Sequence, residues 1–153
     1  MDRTLTFSDK ILDLVNTELE NTKDSFSKIQ FKIWTDIPKS YLSSYYENEQ
    51  IINPVKTSFE DWISDLDKRQ NPIFSVALDK NIVVSSIYGA GLTHERSMNL
   101  WATKTNYRQK GIGKIVLLNF VRYCLENYPE ISIRAWDVTS QQVDSVLTDI
   151  GFT

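Results

Sequence analysis

The sequence predicts an α/β (α+β) fold, a mixed and mostly antiparallel central sheet flanked by helices. Apolar residues recur at helical spacing near both ends of the 153-residue chain. The middle, after Gln70-Asn71-Pro72, turns to runs rich in β-branched and aromatic residues, "IFSVAL", "NIVVSSIYGAGL" and "SMNLWATKT". The last run passes directly into a glycine-containing stretch and an apolar helix, which lays that helix on the sheet.

The elements follow in order. From Phe7 to Asn21, the residues Phe7, Ile11, Leu14, Val15 and Leu19 share one helical face, and Ser8 is placed to cap its start. Ile29, Phe31 and Ile33 alternate with Gln30, Lys32 and Trp34, the period of a strand. Pro38 opens a polar, aromatic helix through Tyr46, and Asn53-Pro54 breaks it. Thr57 to Lys68 predicts a helix capped by Ser58, with Phe59, Trp62, Ile63 and Leu66 on one face. Three consecutive antiparallel strands come next, the first two joined by the polar turn Asp79-Lys80-Asn81. The helix from Ile112 to about Asn127 is apolar on most sides and so predicted to be buried; Pro129 stops it. "ISIRAW" reads as a strand. The final helix is capped by Ser140 and closed by Gly151.

Composition bounds the function. A chain of this length forms one domain, and 41% hydrophobic with 24% charged residues is ordinary for a folded protein. A net charge of -3 argues against non-specific nucleic-acid binding. Cys124 is the only cysteine, so no internal disulfide forms and a reducing cytoplasm is expected; its apolar helical context reads as a buried thiol. His94 is the only histidine, and neither a second zinc ligand nor a GxSxG turn accompanies it, so no metal site is expected. No apolar run is long enough to span a membrane, and no signal peptide is visible at the start.

One stretch carries chemistry: Tyr107 to Lys114, "YRQKGIGK". Glycine lets the backbone turn sharply, and the first amides of a helix lack internal partners, so the stretch suits an anion. The pattern also fits a tight strand-to-helix turn with no ligand. A P-loop requires Ser or Thr after the lysine, where Ile115 stands; a dinucleotide fingerprint requires a third glycine, where Val116 stands.

Arg108, Gly111 and Gly113 match the Q/R-x-x-G-x-G/A loop of the GCN5-related N-acetyltransferases. "NLWATKTNYRQKGIGKIVLLNFVRYCLE" resembles that family's core strand, loop and helix. "IRAWDVTSQQVDSVLTDIGF" is similar to its next strand and helix. The clear resemblance covers about residues 73–152 and the preceding strand and helix pair fits it more loosely, so the expected division is an N-terminal helical extension at 1–27 and an acetyltransferase domain at 28–153. "TSFEDW" and Trp136-Asp137 resemble the tandem-domain branch that includes mycothiol synthase-like proteins.

The resemblance implies an N-acetyltransferase that moves an acetyl group from acetyl-CoA to a primary amine of a small molecule or peptide by direct attack. It implies that Arg108 and the amides of Gln109, Lys110, Gly111, Ile112, Gly113 and Lys114 hold the coenzyme pyrophosphate. The backbone of Ala102 and Thr103 is then expected to pair with pantetheine, where the strand near Leu100 splays from the strand Ile131 to Trp136. The chain departs from the family at two places. Leu147 stands where a tyrosine acid is usual, and no carboxylate lies in "SMNLWATK". Glu95, with His94, and Asp137 are the candidates for general base; each also reads as an ordinary turn residue. Trp34, Tyr41, Tyr45 and Tyr46 are candidates for lining the acceptor pocket. The chain ends at Thr153, where the family adds one or two strands. The strand Ile131 to Trp136 is therefore expected to be an open edge, covered by a homodimer partner or a further domain. The departures keep an alternative in view: a degenerate domain that binds acyl-CoA or a partner protein without catalysis.

Overall fold

The computed structural model describes residues 2–52, 56–91, 95–136, 138 and 140–153. Six strands, β1 (Arg3–Leu5), β2 (Ile29–Trp34), β3 (Ile73–Asp79), β4 (Ile82–Gly91), β5 (Glu95–Thr103) and β6 (Ser132–Ala135), form one sheet in the order β1-β6-β5-β4-β3-β2. All neighbours are antiparallel except β5 and β6, which are parallel. The helices are α1 (Asp9–Thr22), α2 (Leu42–Glu49), α3 (Phe59–Leu66), α4 (Ile112–Asn127) and α5 (Gln141–Ile150).

Local chemistry sets the helix starts. The hydroxyls of Ser8, Ser58 and Ser140 each accept the amide three residues on, from Ile11, Asp61 and Val143. Each satisfies one of the amides that a helix start leaves free. Gly151, at φ 125, closes α5 in a conformation that costs other residues dearly, and its N–H and that of Phe152 reach back to Leu147 O.

Two cores sandwich the sheet. On one face α1, α4 and α5 bury Val15, Ile115, Leu118, Phe120 and Leu147 against Ala77, Ile87 and Ile133. Nine of the sixteen α4 residues are buried, as its near-continuous apolar run predicts. Ser75 Oγ donates to Val116 O at 2.7 Å, a polar stitch between β3 and α4 inside that core. On the other face α2 and α3 bury Tyr45 and Trp62 against Phe74, Val76 and Tyr88.

The second core holds one charged pair. Glu49 is 1% exposed and accepts both Trp62 Nε1 at 3.0 Å and the fork of Arg69 at 2.7 and 3.2 Å. Burial opposes the Arg69 charge, and Glu49 more than restores it, so its pKa stays above the ordinary value. The guanidinium also lies 4.2 Å from the centre of the Tyr88 ring.

The N-terminal stretch differs from its expected form. It was expected as a helical extension, yet Arg3–Leu5 is a strand of the main sheet and α1 packs into the α4 core. Three residues are too few for strand periodicity to show. Leu5 is fully buried, worth about 1.5–3 kcal/mol. Fixing three residues costs about 3–6 kcal/mol of backbone entropy. The ladder to β6 and the charged pairs of this strand must supply the difference.

The expected open edge is also corrected. β6 pairs with β1 through Arg3↔Ala135, Thr4↔Arg134 and Leu5↔Ile133. On the outer side of β1, Thr4 and Thr153 exchange both backbone bonds, at 3.0 and 2.9 Å. Residues near the two ends of the given chain therefore cover β6.

Candidate functional site

The site forms where β5 leaves its neighbours. β5 is paired with β6 only from Glu95 to Met98. Beyond Met98 the two strands part. On the β4 side the register shifts between Ser86 and Tyr88, so Leu100 and Trp101 together face Ile87. Leu100 has φ 53, the left-handed region that branched and bulky residues avoid. This is a β-bulge, which bends a strand and frees backbone groups from the ladder.

The result is a cleft of about 250 Å³. Met98, Asn99, Leu100 and Trp101 of β5 form one wall. Ala135, Trp136, Val138 and Ser140, with Val143 and Leu147 of α5, form the other, and Ile52 closes one side. A second groove, of about 490 Å³ along the C-terminal half of α4, has Asn16, Asn119, Arg122 and Glu126 in its lining and none of the glycine-loop residues.

The loop opens at the cleft's end of β5. Gln109 and Gly111 are at φ 62 and 91, and α4 starts at Ile112 with no side chain capping it. Its first turn bond is Ile115 N–H to Gly111 O at 3.2 Å, so the helix itself leaves the amides of Ile112, Gly113 and Lys114 free. The two glycines serve different ends. Gly111 has room for a side chain, its virtual Cβ standing 3.8 Å from Phe26, but not the backbone for one. Gly113 has no room: a Cβ there would stand 2.9 Å from Thr103 Oγ1 and 3.4 Å from Trp101 Nε1.

The loop is held from both sides. Tyr107 donates its hydroxyl to Asp79 Oδ2 at 2.5 Å, and that acceptor raises the phenol pKa. Arg108 Nε donates to Thr103 O at 2.8 Å. Lys114 Nζ lies 3.6 Å from Glu18 of α1. Asn48, fully buried in α2, donates to Ser86 Oγ at 2.8 Å and Ala102 O at 3.1 Å, fastening α2 beside the bulge.

The loop is thus brought against Thr103 through Arg108 and against Thr103 and Trp101 at Gly113, while neither Ala102, Thr103 nor the residues Arg108 to Lys114 line the cleft itself. The carbonyls of Ala102 and Thr103, expected to meet pantetheine, already accept Asn48 and Arg108. Further pairing at Thr103 O uses its second lone pair.

Glu95 does not line the cleft. It starts β5, roughly 20 Å by strand rise from Trp101, and stands 3.7 Å from the Arg134 guanidinium. Asp137 and His94 lie outside the described residues. The four aromatic candidates do not line the cleft either. Tyr45 is fully buried beneath α2, Tyr46 stacks edge-on with Phe59 and Trp62, and Trp34 packs on Tyr41, whose hydroxyl donates to Asn81. Their helical and strand spacing marks core faces, which is how the structure uses them.

Two residues went unremarked in the sequence. Trp101, a cleft-wall residue, has its Nε1 buried beside Gly113 with no hydrogen-bond partner. Asn48 reads as an ordinary polar helix position, and only the packing of α2 on β5 reveals its use. Leu147, at the place of the usual acid, is fully buried and lines the cleft. Among the described residues no carboxylate or histidine lines the cleft.

The sequence matches no family model and no curated protein. Solved structures do match. A tandem GNAT protein from the clavulanic acid biosynthesis pathway superposes over 99% of this chain with TM-score 0.67 and 11% identity. The chain spans about half of that protein, 48% of its length. An acetyltransferase from Trypanosoma brucei matches over 82% of this chain and 92% of its own, with TM-score 0.63 and 15% identity. The ribosomal-protein-S18-alanine N-acetyltransferase of Escherichia coli matches over 81% of this chain and 78% of its own, with TM-score 0.64 and 14% identity. With its parallel β5/β6 pair parting beside a helix-opening glycine loop, the chain has the acyl-CoA N-acyltransferase fold of the GCN5-related N-acetyltransferases.

Proposed function

We propose that the protein is an acetyl-CoA-dependent N-acetyltransferase acting on a primary amine of a small molecule or peptide. One observation carries the reading. An uncapped helix N-terminus and a left-handed glycine adjoin, through Gly113 against Trp101 with its unpaired buried indole N–H, a cleft that Trp101 also lines and a bulge opens.

These residues suit the coenzyme. The amides of Ile112, Gly113 and Lys114, with the helix dipole behind them, favour a pyrophosphate. Trp101 Nε1 is an unsatisfied donor beside Gly113, where a ligand on the loop could meet it. The apolar walls of Met98, Leu100, Ala135 and Val143 exclude water from a thioester's surroundings. Bound there, acetyl-CoA supplies an activated acetyl group to a neutral amine. The bulge at Leu100–Trp101 leaves backbone polar groups outside the β4 ladder, and a backbone N–H at this wall would stabilise a developing oxyanion. Proton removal from the amine falls to water or to Asp137, because no described carboxylate reaches the cleft. Positioning supplies much of such a rate without an acid.

A second reading has its own support. Leu147 puts a buried apolar side chain at the usual acid position, which favours a domain that binds acyl-CoA without turnover. Titration calorimetry with acetyl-CoA, coenzyme A and ATP, followed by thiol release over an amine panel, separates the readings. Acetyl-CoA binding with thiol release supports the enzyme, and binding alone supports the second reading. Preference for ATP refutes both. A cytoplasmic setting suits acetyl-CoA use. No helix among the described residues is long and apolar enough to cross a membrane.

A further inference from the structure

We propose that the N-terminal strand is a clasp that sets the opening of the coenzyme cleft, with Arg3 and Asp2 as positioning residues. The proposal rests on the coenzyme reading of that cleft.

The cleft exists because the chain after Ala135 and α5 stand away from Asn99 to Trp101 of β5, and β1 links β6 to α5 by a strand ladder on one side and an ion pair on the other. Arg3 is in register with Ala135, a cleft-wall residue of β6. Its guanidinium grips Asp144 of α5 through two bonds, Nε to Oδ1 at 2.6 Å and Nη2 to Oδ2 at 2.9 Å. Asp144 follows Val143, which with Leu147 forms the α5 part of the cleft wall. Both charged side chains are largely shielded, at 21% and 28% exposure, and the paired-fork geometry fixes direction as well as distance.

A second set of charges crosses the strands at the closed end. Arg134 Nη2 donates to Asp2 at 2.8 Å, and its Nη1 lies 3.7 Å from Glu95. Asp2, Arg134 and Glu95 thus link β1, β6 and β5 where the two parallel strands still pair. The same guanidinium lies 3.9 Å from the centre of the Trp136 ring, at the cleft's rim. Glu95 is accounted for here as a hinge charge. Thr4 and Thr153 bond on the outer side of β1 and lock it in place.

If β1 were loosened, β6 would keep its four-residue pairing with β5 and its core packing but lose its outer ladder. The α5 wall of the cleft, Val143 and Leu147, would then lose its charged tie to β1 and could shift relative to β5. Such a shift spoils a cleft that must match a ligand along both walls.

The test uses the full chain. Arg3→Ala and Asp144→Ala are compared with the charge-reversed double variant Arg3→Asp/Asp144→Arg. Acetyl-CoA affinity is measured by calorimetry, and amide exchange is followed segment by segment. Each single variant is expected to keep its far-UV spectrum, lose at least tenfold in affinity, and exchange faster at 133–136 and 143–147 but not at 73–79. The reversed pair is expected to recover affinity and protection to within about threefold. Affinity within twofold of wild type in Arg3→Ala, faster exchange spread equally over 73–79, or no recovery in the reversed pair overturns the clasp. Failure of the wild-type chain to bind acetyl-CoA defeats the coenzyme reading instead. The exchange pattern then decides alone whether β1 holds the two walls.

Discussion

Adding one methyl group at Gly113 tests the packing behind the loop. An alanine Cβ would stand 2.9 Å from Thr103 Oγ1, closer than real Cβ atoms come, and 3.4 Å from Trp101 Nε1. Thr103 cannot simply rotate away, since its hydroxyl is bonded to Ser85 Oγ at 2.8 Å and Ser85 is fully buried. Overpacking of this kind costs about 1–3 kcal/mol. Alanine is the better helix former by up to about 1 kcal/mol, less in the first turn, so a net loss of about 1–2 kcal/mol is expected. In a domain of this size that lowers Tm by about 2–8 °C.

Urea unfolding followed by tryptophan fluorescence measures the loss, and a double-mutant cycle with Thr103→Ala identifies its source. Thr103→Ala alone should destabilise by about 1–3 kcal/mol, because Ser85 Oγ is left buried without its partner. In that background Gly113→Ala should become milder, with a coupling of about 1 kcal/mol. Additivity within about 0.3–0.5 kcal/mol would refute the argument, since it would mean that the methyl group never met the hydroxyl. The result also bears on charge substitutions here. An aspartate at 113 would displace α4 by bulk before its charge met any phosphate, so it does not report cleanly on coenzyme binding.

Other outcomes follow from the same geometry. Gly111→Ala has space but must adopt φ 91, so it should cost about 1–2 kcal/mol by chemical denaturation. Arg69→Ala strands the buried Glu49 carboxylate and should destabilise by about 3–5 kcal/mol in urea. Asp144 is held below the usual carboxylate range by its hydrogen bonds from Arg3. Its contribution to stability is complete above the unfolded carboxylate pKa of about 3.9 and fades as pH falls through the lower folded value. Acid titrations of wild type and Asp144→Asn should therefore converge at low pH. Burial pushes the Cys124 thiol up to about 12. The native protein should resist thiol reagents at neutral pH, and stability should decline above the unfolded thiol pKa of about 8.5, a decline missing in Cys124→Ala.

Most elements were legible because their causes are local. Ser8, Ser58 and Ser140 cap the helices they were read to cap, and the alternation in Ile29–Trp34 and the apolar run of α4 appear as a strand and a buried helix. The loop from Arg108 to Lys114 was legible because its glycines follow a strand and open a helix within eight residues. The aromatic candidates misled for a related reason. Tyr45 and Tyr46 carry a core spacing that resembles a pocket lining when seen without its partners. Glu95 misled because nearness to the loop strand in sequence says nothing of position along it.

The sequence by itself determined the order of elements from α1 onward, their caps and the glycine loop, since each depends on contacts within a few residues, and that order pointed to the fold. Only the tertiary structure decided the rest. It brought Arg3–Leu5 to β6, some 130 residues away in the chain, and so covered an edge that had looked open. It set Trp101 Nε1 beside Gly113, and it moved Glu95 out of the cleft and into a cross-strand pair with Arg134. Those outcomes rest on long-range packing, where a three-residue strand or a single side chain leaves no periodic trace, because its partners are chosen by the fold and not by its neighbours in sequence.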